Sequence, residues 1–358
     1  MRFHLPALPG QPVTRQNSTC AFTQKIVGFA RMMVPRGHQV FIYGQPGGER
    51  KTGAILVNTY PKLEKPPKFS AGAWREYNLR AVMEIDKHAK PGDFICLTAG
   101  TSQELVATAS DLTSVEYGIG HGGSFAEYRV FESYAWMHAT YGAEVSEPNL
   151  IEPRWYDAVI PGYFDPADFT FDPEDRDDYL LFMGRLMPSK GPHIAEQIAR
   201  MTGRPLIICG PDCGYEPEFG KNLGVVGPKK RASLLAKAHA LIAPTTYCEP
   251  FGNIVVEAAM SGTPVLTTDW GAFAETNVHG LTGYRCRTLG EFMWATGAVA
   301  DLDRKAIRDH AVANYSFDAV APTYEAYFEL VADRRDGGGW NSGLSALPVA
   351  KRGTVRAD

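Results

Sequence analysis

Residues 179–191 read YLLFMGRLMPSKG, and this stretch indicates the architecture of the chain. A short apolar run ends at Gly184, two cations follow at Arg185 and Lys190, and Gly191 opens an amphipathic stretch. A buried strand joined by a short loop to a helix is typical of a β–α–β unit in a parallel sheet. We therefore expect both cations to lie at the carboxyl edge of such a sheet.

The same alternation of strands and helices continues along the chain in both directions. Strands are predicted at 2–5, 38–43, 54–57, 93–97, 115–119, 157–160, 179–183, 205–209, 223–226, 240–243 and 264–267. Helices are predicted at 18–34, 73–87, 101–110, 124–141, 192–201, 229–238, 253–260, 289–300, 304–314 and 317–333. Short strand–helix–strand connections favour right-handed crossovers, so each half of the chain is expected to form a Rossmann-like domain of the α/β class.

Two changes in composition suggest where the domains end. Residues 164–178 contain seven acidic residues and two prolines without a helical period, which is typical of an exposed linker. We therefore predict a first domain at 1–163, a linker or hinge at 164–178 and a second domain at 179–316. Three consecutive glycines begin at Gly337, and the segment 336–358 is predicted to be a disordered tail.

Composition excludes several classes of protein. The 358 residues are 44% hydrophobic and 21% charged, which suits about two globular domains and argues against disorder. The net charge of −4 argues against broad nucleic-acid binding. No apolar run approaches the roughly 20 residues that span a bilayer, and the proline-rich start is not expected to be a signal peptide. The six cysteines are scattered, so we expect reduced thiols and a cytoplasmic location.

Arg185 and Lys190 are the first candidate functional residues. Two cations beside a helix N-terminus can bind a diphosphate, because their charge adds to that of unpaired backbone N–H groups. The alternative is a solvated loop that carries two surface cations.

The second candidate stretch, residues 248–265, reads CEPFGNIVVEAAMSGTPV. Gly252 allows the backbone to approach a ligand closely, and a helix beginning at Asn253 directs its amides toward negative charge. Glu249 precedes this helix and Glu257 lies one turn beyond Asn253, so the two carboxylates can accept hydrogen bonds from different hydroxyl groups. Alternatively, Glu249 is a surface acid and Glu257 only favours the helix.

Together, Gly184–Gly191 and Glu249–Glu257 resemble the donor half of retaining GT-B glycosyltransferases, in the glycogen-synthase and mannosyltransferase-like group (glycosyl transferases group 1). The resemblance covers about residues 157–332 and is only architectural over 1–156. It implies two Rossmann-like domains that face each other across a cleft. It also implies that the C-terminal helix, about 317–335, crosses back onto the first domain.

The resemblance also implies roles for individual residues. Arg185 and Lys190 would bind the nucleotide diphosphate, Glu257 the ribose hydroxyls and Glu249 the transferred sugar. The remaining donor-binding positions would be Gly10, Gly184, Phe251, Gly252, Asn253 and Ile254. No metal and no cofactor are expected besides the co-substrate, a UDP- or GDP-sugar.

Members of this group usually carry a histidine at the end of a strand in the first domain, facing the donor sugar. His121 follows the predicted strand 115–119 and is our choice for this role. The alternative, His138, lies within a predicted helix among large apolar residues, where a histidine more often packs than reacts.

The start of the chain departs from the family pattern. In place of the usual glycine pair after the first strand stands LPGQPVTRQN at residues 8–17, which retains only Gly10. The polar residues Thr14, Arg15 and Asn17 could reach donor or acceptor, and the alternative for Asn17 and Ser18 is that they cap the first helix.

The predicted activity is transfer of a sugar from a nucleotide sugar to an acceptor hydroxyl with retention of configuration. The acceptor could be a glycan, lipid, protein or modified base. One alternative is a sugar-nucleotide epimerase of the same fold, and another is a non-catalytic sugar-binding protein. Two Asp-x-Asp strings, at 175–177 and 301–303, lie away from the predicted diphosphate site, so a metal-independent reaction is expected.

Overall fold

The first half of the chain forms one parallel sheet. The computed structural model describes residues 1–17, 19–63, 72–145 and 151–336. Within the first three of these ranges and the start of the fourth, the strands are β1 (Arg2–Pro6), β2 (Gln39–Gly44), β3 (Ile55–Asn58), β4 (Phe94–Leu97), β5 (Thr113–Tyr117), β6 (Tyr128–Phe131) and β7 (Ala158–Val159). They lie in the order β3-β2-β1-β4-β5-β6-β7. The helices are α1 (Ala21–Met33), α2 (Gly72–His88), α3 (Glu104–Thr108) and α4 (Tyr134–Glu144).

A second parallel sheet follows. Its strands are β8 (Leu180–Met183), β9 (Leu206–Cys209), β10 (Lys221–Asn222), β11 (Ala240–Ala243), β12 (Val265–Thr268) and β13 (Gly283–Cys286), in the order β10-β9-β8-β11-β12-β13. The helices are α5 (Pro192–Thr202), α6 (Pro228–Lys237), α7 (Asn253–Met260), α8 (Phe273–Thr276), α9 (Leu289–Ala298), α10 (Arg304–Tyr315) and α11 (Phe317–Arg335).

In each sheet the strand order reverses beside the first strand. β1 lies between β2 and β4, and β8 lies between β9 and β11. Crevices at the carboxyl edge form at such reversals and are the usual ligand sites of open α/β sheets. The predicted fold, two Rossmann-like α/β domains, is confirmed.

The last helix packs against the first sheet rather than the second. Tyr324 and Phe328 of α11 are fully buried in the core that contains Phe3, Phe29 and Phe94. The crossing of the C-terminal helix back to the first domain is therefore confirmed. Among the helices in the described ranges, none combines the length and the apolar character needed to cross a bilayer.

Some of the predicted elements are wrong. The predicted helix 124–141 is in fact strand β6 followed by α4. Arg129 in the middle of β6 is completely buried, with ion pairs to Asp157 (2.6 Å) and Glu144 (2.9 Å). A charged residue in the middle of a strand interrupts its apolar run, so a prediction based on apolar residues alone does not identify the strand. The strand predicted at 223–226 forms instead at β10, and neither α8 nor β13 was predicted.

The predicted linker is tied to the first domain by ion pairs. Arg31 of α1 binds Asp165 at 2.5 Å and also binds Asp168.

The polar loop after β1 differs from its predicted role. Arg15 pairs with Glu49 (2.6 Å) and with Asp168 (3.1 Å), so its guanidinium, a candidate ligand-binding group, already has two acidic partners. The N-cap of α1 is Cys20, which corrects the suggestion that Asn17 caps this helix, and Ser18, the other suggested cap, lies outside the described residues. The hinge at 164–178 stays a prediction, and residues 337–358 of the predicted tail lie outside the described residues.

Candidate active site

The loop after β8 places Lys190 beside the loop after β11. Gly191 has a φ of +76°, and a Cβ atom there would lie 2.4 Å from the carbonyl oxygen of Pro244. Only glycine accommodates both the left-handed backbone and this close approach. The amide of Thr246 donates to the carbonyl of Ser189 at 2.9 Å, which joins the two loops next to Lys190.

Lys190 and Glu249, 59 residues apart in sequence, form an ion pair. The distance from Lys190 Nζ to Glu249 Oε2 is 2.5 Å, and the side chains are only 18% and 12% exposed. Lys190 Nζ also lies 4.9 Å from the ring centre of Tyr247, a cation–π contact. The Tyr247 hydroxyl interacts with Glu249 and with the exposed Arg185, and burial raises the pKa of Tyr247, so its phenol stays protonated.

His121 reaches this group from the first domain. Its ring centre lies 5.5 Å from that of Tyr247 and 4.7 Å from that of Trp136, both edge-on. Partial burial lowers the pKa of His121, and the positive charges of Lys190 and Arg185 lower it further, whereas Glu249 opposes them. We name His121, Arg185, Lys190, Tyr247 and Glu249 the Lys190 cluster.

The lowered pKa of His121 can be tested by proton NMR titration. We expect the His121 ring to take up its proton below pH 6.5, so that the imidazole is neutral at pH 7. Changing Lys190 to methionine should raise the pKa of His121, because it removes a neighbouring positive charge. Comparison with His121→Gln assigns the resonance among nine histidines. A His121 pKa above 6.5 in the unmodified protein would contradict this arrangement.

The start of α7 is shaped for a close approach of backbone to ligand. Gly252, its N-cap, has a φ of +83°, and a Cβ atom there would meet the ring of Phe273 at 2.6 Å. Phe251 is 2% exposed and packs near Phe164, with ring centres 6.5 Å apart. Its side chain is therefore part of the core, and only its backbone is available to a ligand. Asn253 and Ile254 in the first turn are half-buried.

Glu257, one turn into α7, has a cationic partner. Arg231 of α6 donates from Nε to Glu257 Oε2 at 2.5 Å and contacts the same oxygen through Nη2. Both contacts use Oε2, so Oε1 is the oxygen that can accept from a ligand hydroxyl. Burial raises the pKa of Glu257, and the Arg231 charge opposes this rise.

The structure thus brings His121, Arg185, Lys190 and Glu249 together, whereas Gly10 and Gly184 lie in the turns that follow β1 and β8. His138 is exposed on α4, where its ring lies near those of Tyr134 and Tyr141, so it packs at the surface and not in the apolar core. Analysis of the sequence missed three side chains of the site: Tyr247, Arg231 and Trp136. Tyr247 lies two residues before Glu249, a proximity that could have pointed to it, whereas the positions of Arg231 and Trp136 depend on packing between distant elements.

In the described part of the chain, no three His, Cys, Asp or Glu side chains gather into a metal-binding group. Asp175 of the first Asp-x-Asp string pairs with Lys237 at 2.7 Å. Asp303 of the second string is the N-cap of α10.

Comparison with known proteins agrees with this geometry. Residues 167–288, which contain Arg185, Lys190, Glu249 and Glu257, match the family described as glycosyl transferases group 1. We call this segment the group 1 domain, after the family that it matches. The resemblance drawn from Gly184–Gly191 and Glu249–Glu257 is confirmed.

Curated relatives of the chain that contains this group 1 domain include two glycosyltransferases. D-inositol 3-phosphate glycosyltransferase of Rhodococcus erythropolis is 30% identical over 201 residues, a match that covers 46% of this chain and 42% of that protein. Glycogen synthase of Mycobacterium tuberculosis is 30% identical over 236 residues, covering 58% of this chain and 56% of that protein. The chain thus spans about half the length of these relatives.

Solved structures extend the likeness of the group 1 domain to the whole fold. AviGT4, a glycosyltransferase involved in avilamycin A biosynthesis, superposes with a TM-score of 0.70 at 21% identity, over 92% of this chain and 98% of that one. HepE of Anabaena, solved with UDP and glucose, gives a TM-score of 0.67 at 16% identity, over 92% and 99%. At these identities the likeness shows the fold alone, and the fold is GT-B.

Proposed function

We propose that this protein is a glycosyltransferase that moves a sugar from a UDP- or GDP-sugar to an acceptor hydroxyl with retention of anomeric configuration. The observation that carries the proposal is the Lys190–Glu249 ion pair, which His121 of the other domain faces across Tyr247. The group 1 match and the presence of UDP and glucose in the HepE structure support a nucleotide-sugar donor.

The diphosphate would bind at Arg185 and Lys190. A lysine ammonium has three N–H donors, so Lys190 can keep its bond to Glu249 and still donate to phosphate oxygens. As the bond between sugar and diphosphate breaks, negative charge grows on the leaving diphosphate. Cations already held in place stabilise that charge without reorganisation, which lowers the barrier.

The remaining groups would hold the nucleoside and the sugar. Glu257 would accept hydrogen bonds from the ribose hydroxyls, and Glu249 would bind the hydroxyls of the transferred sugar. The backbone of Gly10, Gly184 and residues 251–254 would complete the donor site, with α7 directing its N-terminal amides toward the phosphates. His121 would face the donor sugar as a neutral imidazole, able to accept or donate a hydrogen bond.

The decisive experiment is a thermal-shift screen of UDP-glucose, UDP-galactose and GDP-mannose, followed by proton NMR of the products formed from the best donor. Release of nucleoside diphosphate with a first-formed product that keeps the donor's anomeric configuration supports the proposal. Inverted product would overturn retention. Conversion of one nucleotide sugar into another without release of diphosphate would indicate the epimerase. Binding without turnover in the presence of an acceptor panel would indicate a sugar-binding protein.

We also expect the reaction to proceed without a divalent metal. Two cations and a helix N-terminus already offset the charge of the diphosphate, and the Asp-x-Asp acids have other partners: Asp175 binds Lys237 and Asp303 caps α10. Rates in excess EDTA should equal those in buffer, and Asp175→Asn and Asp301→Asn should retain near-normal rates. Complete loss of activity in EDTA that manganese or magnesium restores would contradict the metal-free reaction.

A further inference from the structure

The two domains contact each other beside the Lys190 cluster at the start of α4. Ser133, the N-cap of α4, donates its hydroxyl to the carbonyl of Pro250 in the second domain at 2.7 Å. Glu275 of α8 reaches the same helix end, where its carboxylate accepts from the amides of Tyr134 (3.0 Å) and Ala135 (2.8 Å). One domain thus supplies the partners that the helix of the other domain lacks.

These contacts satisfy the free donors of α4. The first amides of a helix have no acceptor within it, and a negative charge at that end also interacts favourably with the helix dipole. Ser133 Oγ accepts from the amide of Trp136 at 3.1 Å, and Glu275 accepts from the two amides before it. Separation of the domains would leave the latter two donors to water and remove a charge-assisted interaction.

Both partners are also joined to the Lys190 cluster. In the second domain, the amide of Ala272 donates to the carbonyl of Glu249 at 3.0 Å, three residues before Glu275, and Pro250 directly follows Glu249. In the first domain, α4 carries Trp136, whose ring packs edge-on against His121. The contact at the start of α4 is therefore linked to His121 through Trp136 and to Glu249 through Pro250 and Ala272.

We propose that Glu275 and Ser133 are positioning residues that hold His121 of the first domain against Lys190 and Glu249 of the second. This inference rests on the proposed glycosyl transfer. Neither residue belongs to the Lys190 cluster, and both act through their neighbours: Glu275 through α4 and Trp136, and Ser133 through Pro250. A small displacement of groups that must be aligned for reaction costs rate even where their chemistry is unchanged.

Glu275→Gln tests the proposal with little change in shape. The glutamine offers one acceptor oxygen and places an NH₂ group against the second amide, so one hydrogen bond and the charge are lost. We expect kcat to fall by about tenfold, as for the loss of one charge-assisted hydrogen bond, and the Kd of UDP to stay within about twofold. The His121 NMR titration should also shift toward pH 6.5, because burial is the largest cause of the lowered pKa of His121 and a displaced ring is less buried, whereas the opposing charges of Glu249 and of Lys190 and Arg185 recede together.

Controls separate positioning from general damage. Glu216→Gln removes the same charge from an exposed site of the same domain and should change neither kcat nor the His121 titration. Ser133→Ala removes the hydrogen bond to Pro250 and should also lower kcat. Thermal unfolding checks that every variant is folded.

Two results would overturn the proposal. One is a folded Glu275→Gln protein with unchanged kcat and an unchanged His121 titration. The other is an equal loss of kcat and UDP affinity, which would place Glu275 in the nucleotide site. If no nucleotide sugar is turned over, the proposed function fails, but the His121 titration still decides whether Glu275 sets the position of His121.

Discussion

Lys190→Ala should lower kcat/KM for glycosyl transfer by about 10²-fold or more, the loss that follows removal of one preorganised group facing developing charge. Lys190 lies at the carboxyl edge of β8 with Nζ 2.5 Å from Glu249 and 4.9 Å from the ring centre of Tyr247. These contacts fix the ammonium before substrate binds. The change should therefore reduce kcat more than it weakens binding of the ground-state donor, which steady-state kinetics on the preferred nucleotide sugar can measure.

A second effect of Lys190→Ala must be separated from the first. The variant leaves the Glu249 carboxylate, 12% exposed, without its cation. The double variant Lys190→Ala/Glu249→Gln removes this unpaired charge, and we expect it to stay impaired because the diphosphate still lacks its cation. Lys237→Ala is the matched control, since it removes a lysine of the same domain that pairs at the surface with Asp175 of the predicted linker. An unchanged kcat/KM and unchanged UDP affinity in Lys190→Ala would remove Lys190 from the site.

The second large effect is expected at Glu257. Glu257→Gln should raise the Kd of UDP by about tenfold or more, because a neutral amide is a weaker acceptor for ribose hydroxyls and its single oxygen must serve both Arg231 and the ribose. The substitution also leaves Arg231 of α6 without its carboxylate partner. Calorimetric titration with UDP measures the loss.

Glu249→Gln provides the matched comparison. Glu249 is assigned to the transferred sugar, so its change should reduce turnover of the nucleotide sugar while the Kd of free UDP stays within about twofold. Equal weakening of UDP binding by the two variants would show that this division of roles is wrong.

The raised pKa of Glu257 gives a pH dependence to the same measurement. Burial favours the neutral acid, so Glu257 takes up its proton at a higher pH than an exposed glutamate. UDP affinity should accordingly weaken as the pH falls toward the raised pKa of Glu257. In Glu257→Gln this part of the pH dependence should be absent.

Local sequence was sufficient for much of the fold. β11 and α7 lie at their predicted bounds, 240–243 and 253–260. Each is a short, mostly apolar run, and residues that favour turns mark its ends. The prediction failed at β6, where buried Arg129 takes the place of an apolar residue. The ion pairs that make this burial possible come from Asp157 and Glu144, which lie 28 and 15 residues away. No local pattern contains that information.

The candidate site divides in the same way. Lys190, Glu249 and Glu257 were identified from sequence. Loops after parallel strands meet at one sheet edge, which is the usual ligand site, so charged residues there indicate ligand binding. Their roles stay predictions, but their place at the sheet edge follows from strand–loop–helix order. The sequence pattern also predicted two Rossmann-like domains, and the group 1 resemblance implied their GT-B arrangement.

Tertiary structure decided which of these groups are partners. The pairing of Lys190 with Glu249, of Arg231 with Glu257, and of Glu275 with the start of α4 depends on distances between side chains far apart in sequence. The sequence by itself determined most of the strands and helices and the edge at which the charges lie, since hydrophobic period and turn chemistry are local. Only packing of the two domains could determine that His121 lies beside Tyr247 and Lys190, because these residues belong to domains with two different sheets.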